Sequence, residues 1–262
     1  MLDSLPSSSW LTARCPQLWS AVTEPGLHIR LVQSKSELRE VQRLRFDVFS
    51  HEMQASFPSA HEGLDQDELD PWCAHFMVID EAHDQVVGTY RLLTPENAQA
   101  VGGYYTESEF DLSPLASYRT QMVEVGRSCI HPDYRNGSAI RLLWSAIANL
   151  MRQLNYRYLL GCASVSLLDQ GQTAAQVWRH VRAQVGQNGV PELQPLHPYP
   201  LESLAQHTAA VRLPPLIKGY LNLGAHICGA PAWDPDFNTA DFPILFDLER
   251  MTTRYQRLFG FI

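Results

Sequence analysis

Two charged residues interrupt an apolar stretch of the chain, and their side chains suit proton transfer. Glu124 and Arg127 lie within Gln121 to Ile130, where apolar and β-branched residues predict a strand. A carboxylate on such a strand is expected to have a raised pKa, which suits a base that takes a proton from an amine. Side chains on a strand alternate faces, so these two meet only if a bulge intervenes, and Gly126 permits one. The alternative is structural, with Glu124 paired to Arg127 or across the sheet to Arg91.

A turn and a helix follow this strand, and the start of the helix is a predicted anion site. Pro132 cannot extend a strand ladder, Asp133 to Gly137 are typical of a turn, and the helix begins near Ser138. Apolar residues then recur at the spacing of a buried helix face, at Ile140, Leu143, Trp144, Ile147, Leu150 and Leu154. Backbone N–H groups at a helix start are unpaired and attract anions. The candidate anion ligands are Arg135, Asn136, Gly137 and Ser138.

A second group of charged residues lies in and around the acidic segment Glu62 to Asp70. Asp67 and Asp70 are candidates to bind ammonium groups of a substrate, or else belong to a solvated, partly mobile loop. Arg45 and Arg91 are candidates to bind a substrate carboxylate or to order that loop. The loop lacks the glycine and the remaining ligands of a calcium-binding EF-hand, so no metal is expected.

Three other reactive side chains have simpler explanations. Cys129 and Cys162 lie in apolar strands, where a cysteine is more often a small hydrophobe than a nucleophile. His131 precedes Pro132 at the strand exit and either takes part in catalysis or only satisfies the turn. No thiol chemistry is expected.

The surrounding pattern predicts an α/β fold with a mixed, largely antiparallel sheet and helices on both faces. Leu27 to Val32 alternates as a strand, and Ser34 with Glu37 has capping-box spacing at the start of a helix. Further strands are predicted at His75–Ile79, Val86–Leu93, Tyr156–Val165, Ala225–Trp233 and Phe242–Leu248, and further helices at Ala174–Gln184 and Leu216–Leu223. Thr94 to Thr120 is predicted to hold at most one short helix.

Composition and charge exclude several classes of protein. The longest apolar runs stop well short of the roughly 20 residues that a membrane span needs. Asp3 stands where a secretory signal would carry a basic residue, and five scattered cysteines without C-x-x-C spacing suit a reducing compartment. The chain is therefore predicted to be cytoplasmic.

The net charge of -8 argues against a nucleic-acid binder, but the charge is unevenly distributed. Between Arg127 and Arg182, seven arginines outweigh two aspartates, so the local balance is +5 and the rest of the chain carries -13. Such a region suits one acidic partner, or it is a set of ordinary solvated helix faces.

Together, the strand with its carboxylate, the turn, the helix and a following strand with small residues at Gly161 to Ser164 resemble the core of the GNAT N-acyltransferases. In that family the fourth strand and the next one splay apart, and the pantetheine arm of the acyl carrier lies in the gap. The resemblance implies a splayed central strand pair here. Ser138 and Ile140 stand where the usual GNAT turn has two small residues, which argues against acetyl-CoA as the donor.

The chain resembles more closely the long-chain N-acyl amino acid branch, above all the ornithine–acyl carrier protein N-acyltransferases once described as haemolysin-like. The resemblance covers about Leu27 to Leu248. It rests on Leu44–Phe49, Asp65–Asp70, Gly88–Leu92, Glu124–Gly137, Leu160–Ser164, Leu213–Tyr220 and Trp233–Asp241.

A more distant resemblance is to the acyl-homoserine-lactone synthases. Their spaced set of residues matches Arg45, Phe49, Asp67, Asp70, Arg91, Glu124 and Arg127. Those synthases have a tryptophan shortly after the phenylalanine, and the corresponding position here is about Ala55, which argues against adenosylmethionine as a substrate.

These resemblances imply transfer of a long, 3-hydroxy fatty acyl chain from acyl carrier protein to the α-amine of an amino acid, with ornithine the foremost candidate. Glu124 and Arg127 are the implied catalytic residues, and the acyl-phosphopantetheine arm is a cosubstrate, with no permanently bound cofactor. The arm would be received by Ser128, Cys129, Ile130, Arg135, Asn136, Gly137 and Ser138, and the amino acid by Arg45, Phe49, Asp67, Asp70 and Arg91. The alternatives are a lactone synthase and a non-catalytic module that binds acyl carrier protein or a membrane.

The expected domain organisation is one GNAT-like domain over residues 27–250, with a Pro-rich insertion around 185–213 and an N-terminal extension over 1–26. The aromatic tail over 251–262 either touches the inner face of a membrane or closes the core.

Overall fold

A mixed sheet with helices on both faces forms the centre of the computed structural model, which describes residues 24–187, 189–201 and 213–259. The strands are β1 Leu27–Leu31, β2 Ala74–Asp80, β3 Gln85–Leu93, β4 Phe110–Asp111, β5 Met122–Ile130, β6 Tyr158–Ser166, β7 Gln194–Pro195, β8 His226–Ile227, β9 Ala232–Asp234 and β10 Thr239–Asp247. The helices are α1 Lys35–Met53, α2 Pro95–Val101, α3 Ser138–Gln153, α4 Gln172–Val181, α5 Pro215–Leu223 and α6 Thr253–Leu258.

The main sheet has the order β1-β2-β3-β5-β6-β10-β8, and β9 pairs with β10 beside this path. All neighbours are antiparallel except β5 and β6, which run parallel. Strands β4 and β7 form a separate two-stranded ribbon. The predicted mixed, largely antiparallel sheet is confirmed.

Local sequence signals set the helix ends where they were expected. The Ser34 hydroxyl accepts a hydrogen bond from the Glu37 N–H, and the Glu37 carboxylate accepts one from the Ser34 N–H, so the predicted capping box starts α1. Helix α5 ends at Gly224, whose φ of 106° lies in the left-handed region that glycine adopts without strain.

The apolar residues of alternate strand positions bury the two faces of the sheet against different helices. On one face, Val123 and Phe76 pack in the main core with α3, α4 and α5. On the other face, Met77 packs against Val41 of α1, while Met122 joins a cluster that includes Ala98 of α2. Helices therefore cover both faces, as the sequence predicted.

The parallel pair in the middle of the sheet is splayed. Strands β5 and β6 pair only from Met122 with Tyr158 to Glu124 with Leu160. Immediately beyond, Gly161 lies so close to β5 that an added Cβ atom would be 2.4 Å from the Val125 carbonyl oxygen. The two strands then separate, and this opening is the gap that the GNAT resemblance implied.

A β-bulge interrupts β5 at the same level. Arg91 is opposite Gly126 and Thr89 is opposite Cys129, so the single residue between them on β3 faces both Arg127 and Ser128. Arg127 has a φ of 49°, a left-handed conformation that costs a non-glycine residue of order 1–3 kcal/mol unless its surroundings hold it. The predicted bulge is confirmed, although the strained residue is Arg127 and not Gly126.

Two segments differ from the prediction. Thr94 to Thr120 contains α2, β4 and most of two 3-10 helices, Tyr105–Ser108 and Ser113–Gln121, instead of at most one short helix. Ala225 to Trp233 is not one strand, because β8 and β9 are separate and each pairs with a different part of β10. Irregular segments such as these take their conformation from tertiary contacts and carry little local signal.

The chain ends contribute to the fold where the structure describes them. Phe259 and Met251 are buried in the main core, so the described part of the aromatic tail closes the core and is not an appendage. In the Pro-rich passage, Leu193 is fully buried and β7 pairs with β4. Residues 1–23, 188, 202–212 and 260–262 lie outside the described part, and the predictions made for them are untested.

Candidate functional site

Two adjacent cavities lie at the splay between β5 and β6. One, the polar cavity, has a volume of about 90 Å³ and includes Tyr105, Glu124, Arg127, Asp234 and Asp241 in its wall. The other, the apolar cavity, has a volume of about 60 Å³ and lies between the sheet, α3 and α5. Four residues belong to both walls: Tyr90, Val125, Cys162 and Tyr220. At the gap in the sheet, a polar cavity therefore lies directly beside an apolar one.

Glu124 is buried at the start of this gap. Its Oε1 accepts hydrogen bonds from the Thr106 N–H at 2.7 Å and the Thr106 hydroxyl at 2.6 Å, and its Oε2 accepts one from the Tyr105 N–H at 2.8 Å. Burial raises the pKa of Glu124, and these hydrogen bonds only partly oppose the rise. Neither predicted arginine partner takes these oxygens, so Glu124 instead anchors the 3-10 helix Tyr105–Ser108.

The arginines form a different network, which begins with Arg45 on α1. Arg45 is fully buried, and its Nε lies 2.9 Å from Asp65 while its two Nη atoms lie 3.0 and 2.9 Å from Asp70. Its guanidinium group therefore faces the acidic loop and does not reach the polar cavity. Of the two predicted roles for Arg45, ordering the loop is the one that the geometry supports.

Arg91 and Arg127 complete the network from β3 and β5. Arg91 Nη1 contacts Asp67 at 2.6 Å and Asp70 at 2.9 Å. Arg127 lies 3.2 Å from both Asp65 and Asp67. Three arginines and three aspartates meet in this network, so its charges balance.

The network changes the interpretation of the acidic loop. Burial raises the pKa of Asp67, but the Arg91 and Arg127 guanidinium groups outweigh it and hold the pKa below its usual value. Burial likewise opposes a still stronger lowering of the Asp70 pKa by Arg45 and Arg91. Both carboxylates are ionised and already paired, so they are not free for a substrate ammonium group. The alternative of a solvated loop is wrong for Asp70, which is buried, whereas the Asp67 side chain is 24% exposed.

Arg127 and Phe49 bring the network to the wall of the polar cavity. The Arg127 guanidinium carbon lies 4.3 Å from the centre of the Phe237 ring, and Phe237 in turn contacts Phe49 edge-on. Both predicted residues line the polar cavity, as do Arg91 and Ser128. The fold therefore brings five of the predicted site residues together in the wall of the polar cavity: Phe49, Arg91, Glu124, Arg127 and Ser128.

Two predicted donor-binding residues lie away from the cavities. Cys129 is buried in a cluster with Leu44 and Phe49, and burial raises the pKa of its thiol. Ile130 packs against the main core. The small-hydrophobe interpretation therefore fits Cys129, while its predicted contact with a pantetheine arm has no support in the geometry.

The predicted anion site at the start of α3 has two of its donors, the Ser138 N–H and the Arg135 side chain, engaged within the protein. The Asn136 side chain accepts a hydrogen bond from the Ser138 N–H at 3.0 Å. Arg135 binds the Ile130 carbonyl and Glu52. Phosphate binding by this turn stays a prediction.

The basic region between Arg127 and Arg182 is partly neutralised by residues outside it. Arg135 pairs with Glu52, Arg141 with Glu24, and Arg157 with Asp247 and Glu249, in addition to the pairing of Arg127 described above. The local excess of positive charge therefore does not form one free patch.

Sequence reasoning missed several residues of the site. Asp234 and Asp241 belong to a segment that carried the family resemblance, but no role was inferred for them. Glu109 lies behind Cys162 in a segment predicted to be mostly loop, where nothing in the local pattern indicates burial. Tyr90 and Tyr220 hydrogen bond to each other through their hydroxyl groups where the cavities join, and burial raises the pKa of Tyr90 to about 12.

The apolar cavity has the lining expected for a hydrocarbon chain. Its wall combines α3, α5, the end of β10 and the C-terminal segment, through residues such as Trp144, Ile147, Leu223, Phe246 and Phe259. Gly161 forms its edge at the splay. An unbranched apolar chain would be removed from water there.

The fold and the site define an acyltransferase of the GNAT class. The acetyltransferase (GNAT) domain model matches residues 44–145. Among solved structures, FeeM, an N-acyl amino acid synthase from uncultured soil microbes, aligns with a TM-score of 0.53 at 12% identity, over 90% of this chain and 99% of its own. The acyl-homoserine-lactone synthase LasI aligns with a TM-score of 0.50 at 12% identity, over 89% of this chain and 94% of its own. At such low identity these two structures show the fold alone.

Sequence relatives define the family within that class. The L-ornithine N(alpha)-acyltransferase of Rhodobacter capsulatus is 35% identical over 242 residues, which cover 88% of this chain and 93% of the relative. The protein of the same name from Brucella abortus is 34% identical over 256 residues, 90% of this chain and 89% of the relative. The chain belongs to the L-ornithine N(alpha)-acyltransferase family.

The structure has no helix among its described residues that is both long and apolar enough to cross a membrane.

Proposed function

We propose that this acyltransferase moves a long, 3-hydroxy fatty acyl chain from acyl carrier protein to the α-amine of ornithine. The observation that carries the proposal is the gap after Glu124 and Leu160, at which the polar cavity and the apolar cavity lie side by side. The names of the sequence relatives support ornithine as the acceptor. A thioester in the gap would have its chain in the apolar cavity and its carbonyl beside the polar cavity.

Glu124 takes the proton of the attacking amine in this scheme. The amine must be neutral to attack the thioester carbonyl, and a buried carboxylate of raised pKa is a suitable acceptor for its proton. The C–N bond forms as the C–S bond breaks, and the thiolate needs a proton to leave as a thiol. The Tyr90 and Tyr220 hydroxyl groups lie at the junction of the cavities and are protonated at neutral pH.

The bulge in β5 supplies two further groups to the proposed site, one for the oxyanion and one for the substrate carboxylate. By analogy with the GNAT fold, a backbone N–H at the bulge of β5 would stabilise the oxyanion that develops on the carbonyl. Arg127, held in its left-handed conformation by Asp65 and Asp67, lies in the wall of the same cavity. It is the candidate for the substrate carboxylate, which would share the guanidinium group with these two aspartates.

The acidic donor protein would approach the side of the molecule that carries the start of α3. Arg135 to Ser138 are the candidate phosphate ligands, and an incoming phosphate would have to displace the Asn136 side chain from the Ser138 N–H. The acyl carrier protein and any contact with a membrane surface are expectations from the family resemblance. The choice of donor in an assay tests the first of these expectations.

The deciding assay supplies the full chain with ornithine and either acyl carrier protein or coenzyme A loaded with the same 3-hydroxyacyl chain. Thiol release and the product mass are measured, and adenosylmethionine replaces ornithine in a parallel arm. We expect Nα-acyl-ornithine, with the carrier protein as the better donor. Absence of thiol release with every amino acid tried would refute the acyltransferase activity. A faster reaction with the coenzyme A thioester would refute acyl carrier protein as the preferred donor. A lactone product would indicate an acyl-homoserine-lactone synthase.

A further inference from the structure

Three carboxylates around the polar cavity have no ion-pair partner among the described residues. Glu109 follows the 3-10 helix Tyr105–Ser108, Asp234 ends β9, and Asp241 lies on β10 opposite Ser164. Asp234 and Asp241 line the cavity. Glu109 and Asp234 are each 8% exposed and Asp241 is 3% exposed. Because Arg127 is already paired with two aspartates, this acidic group has no cation of its own.

Two of these carboxylates also have oxygens without a hydrogen bond. Both oxygens of Glu109 and Oδ1 of Asp241 are buried without a partner in the described structure. Burial outweighs the nearby groups that lower the two pKa values, which are the Cys162 and Tyr105 side chains at Glu109 and the Thr239 and Ser164 side chains at Asp241. Asp234 differs, because it accepts from the Tyr105 hydroxyl and from two backbone N–H groups of its own turn. Unsatisfied buried oxygens are costly, which points to a missing donor.

The protonation behaviour agrees with a missing cation. Burial, with the charges of Asp241 and Asp234, raises the pKa of Glu109 to about 9. Burial raises the pKa of Asp241 to about 6. A positive charge placed between Glu109 and Asp241 would favour the ionised form of each and offset the repulsion between the two carboxylates.

The cluster lies next to the proposed base. The Thr106 hydroxyl donates to Glu124 and accepts from the Cys162 thiol at 3.7 Å. Cys162 is in turn within 4.8 Å of the nearest oxygens of Glu109 and Asp241. One threonine and one cysteine therefore lie between Glu124 and the unpaired carboxylates, and both line the polar cavity.

We propose that Glu109 and Asp241 bind the side-chain ammonium group of the acceptor amino acid and so make the enzyme select a diamino acid. The proposal rests on the acceptor assignment made above, and it adds residues to which no role was given. With the α-amine at Glu124 and the carboxylate at Arg127, the side-chain ammonium would reach the cluster. An ammonium group has three N–H donors and needs only acceptors.

A metal ion is the competing occupant of the same cluster. Calcium and magnesium need six or more oxygen ligands, far more than this group offers. Structural zinc is held by four protein ligands, and this group offers three. The donor set therefore favours an ammonium group.

The test compares ornithine with norvaline, which has the same carbon skeleton but no side-chain amine. Binding to the unloaded protein is measured by calorimetry, and kcat/KM by thiol release, for wild type, Glu109→Gln and Asp241→Asn. Asp236→Asn is the matched control, because it removes an exposed negative charge from the turn after Asp234. Each variant is first checked by thermal unfolding.

We expect wild type to prefer ornithine, and each cluster variant to lose about 10- to 100-fold of that preference, mainly through a weaker affinity for ornithine. The control should keep the wild-type preference. Equal use of ornithine and norvaline by wild type would overturn the proposal even if no variant folds, and so would variants that lose both substrates alike. A chelator that changes ornithine binding would assign the cluster to a metal.

The outcomes separate this proposal from the function on which it rests. Preferential binding of ornithine without acyl transfer to any amino acid would refute the proposed function and keep the site. Acylation of ornithine with an unchanged preference in both variants would keep the function and refute the site.

Discussion

Glu124→Gln separates the structural role of the buried carboxylate, as a hydrogen-bond acceptor, from its proposed catalytic role as a base. The amide keeps an oxygen for the two Thr106 donors but turns an NH₂ group toward the Tyr105 N–H, so one hydrogen bond is lost. That loss should lower the free energy of unfolding by about 1–3 kcal/mol. Loss of a general base should lower kcat by about 10²- to 10⁴-fold, which corresponds to about 3–5 kcal/mol of barrier.

Steady-state thiol release at several pH values measures the catalytic part, and thermal unfolding measures the structural part. Thr106→Val is the matched control, because it removes one hydrogen bond to Glu124 and keeps the carboxylate. We expect the control to retain kcat within about tenfold of wild type, with a pH profile moved upward because the ionised carboxylate has lost a donor. A folded Glu124→Gln protein with kcat within about fivefold of wild type would refute the role of Glu124 as base.

Three further predictions concern the framework around the site. Gly161→Ala should cost about 1–3 kcal/mol of stability, because its Cβ atom would lie 2.4 Å from the Val125 carbonyl oxygen. A Cβ atom at Gly126 would meet nothing within 4 Å, so the control Gly126→Ala should unfold like wild type, and equal melting temperatures for the two variants would contradict the splay geometry. Arg45→Met should cost about 3–5 kcal/mol, because it removes one of the two arginine partners from each of two buried aspartates. Denaturant unfolding measures the loss, and a near-neutral result would mean that the network is not buried in solution. The folded state binds a proton at Glu109 more tightly than the unfolded state does, so stability should fall by at most about 1.4 kcal/mol per pH unit as pH rises from about 5 to about 9. In melting experiments over this pH range, Glu109→Gln should flatten that slope.

The parts of the fold that the sequence predicted are those with strong local signals. The capping box at Ser34, the apolar alternation of β5 and the periodicity of α3 each follow from neighbouring residues. The bulge followed from the need to bring Glu124 and Arg127 to one face, which is also a local argument. These segments determine where the splay and its cavities lie.

The parts that failed depend on contacts between distant residues. Arg45 carries the same charge whether it binds substrate or lies buried, and only its pairing with Asp65 and Asp70, twenty or more positions away, decides between them. The 3-10 helix Tyr105–Ser108 is held by Glu124 from a strand that follows it in the chain. Glu109 is buried only because that segment folds back over Cys162. No local pattern contains this information.

The short seam between β5 and β6 makes the sheet two half-sheets that share only the pairs from Met122 to Glu124. Beyond that seam, the distance between the halves depends on what fills the space between them. A hydrocarbon chain in the apolar cavity would complete the interior as well as being a substrate, because each buried CH₂ group contributes about 0.8 kcal/mol. Affinity for the donor and resistance to unfolding would then be two measures of the same packing, and both would rise with chain length until the chain reaches Phe259.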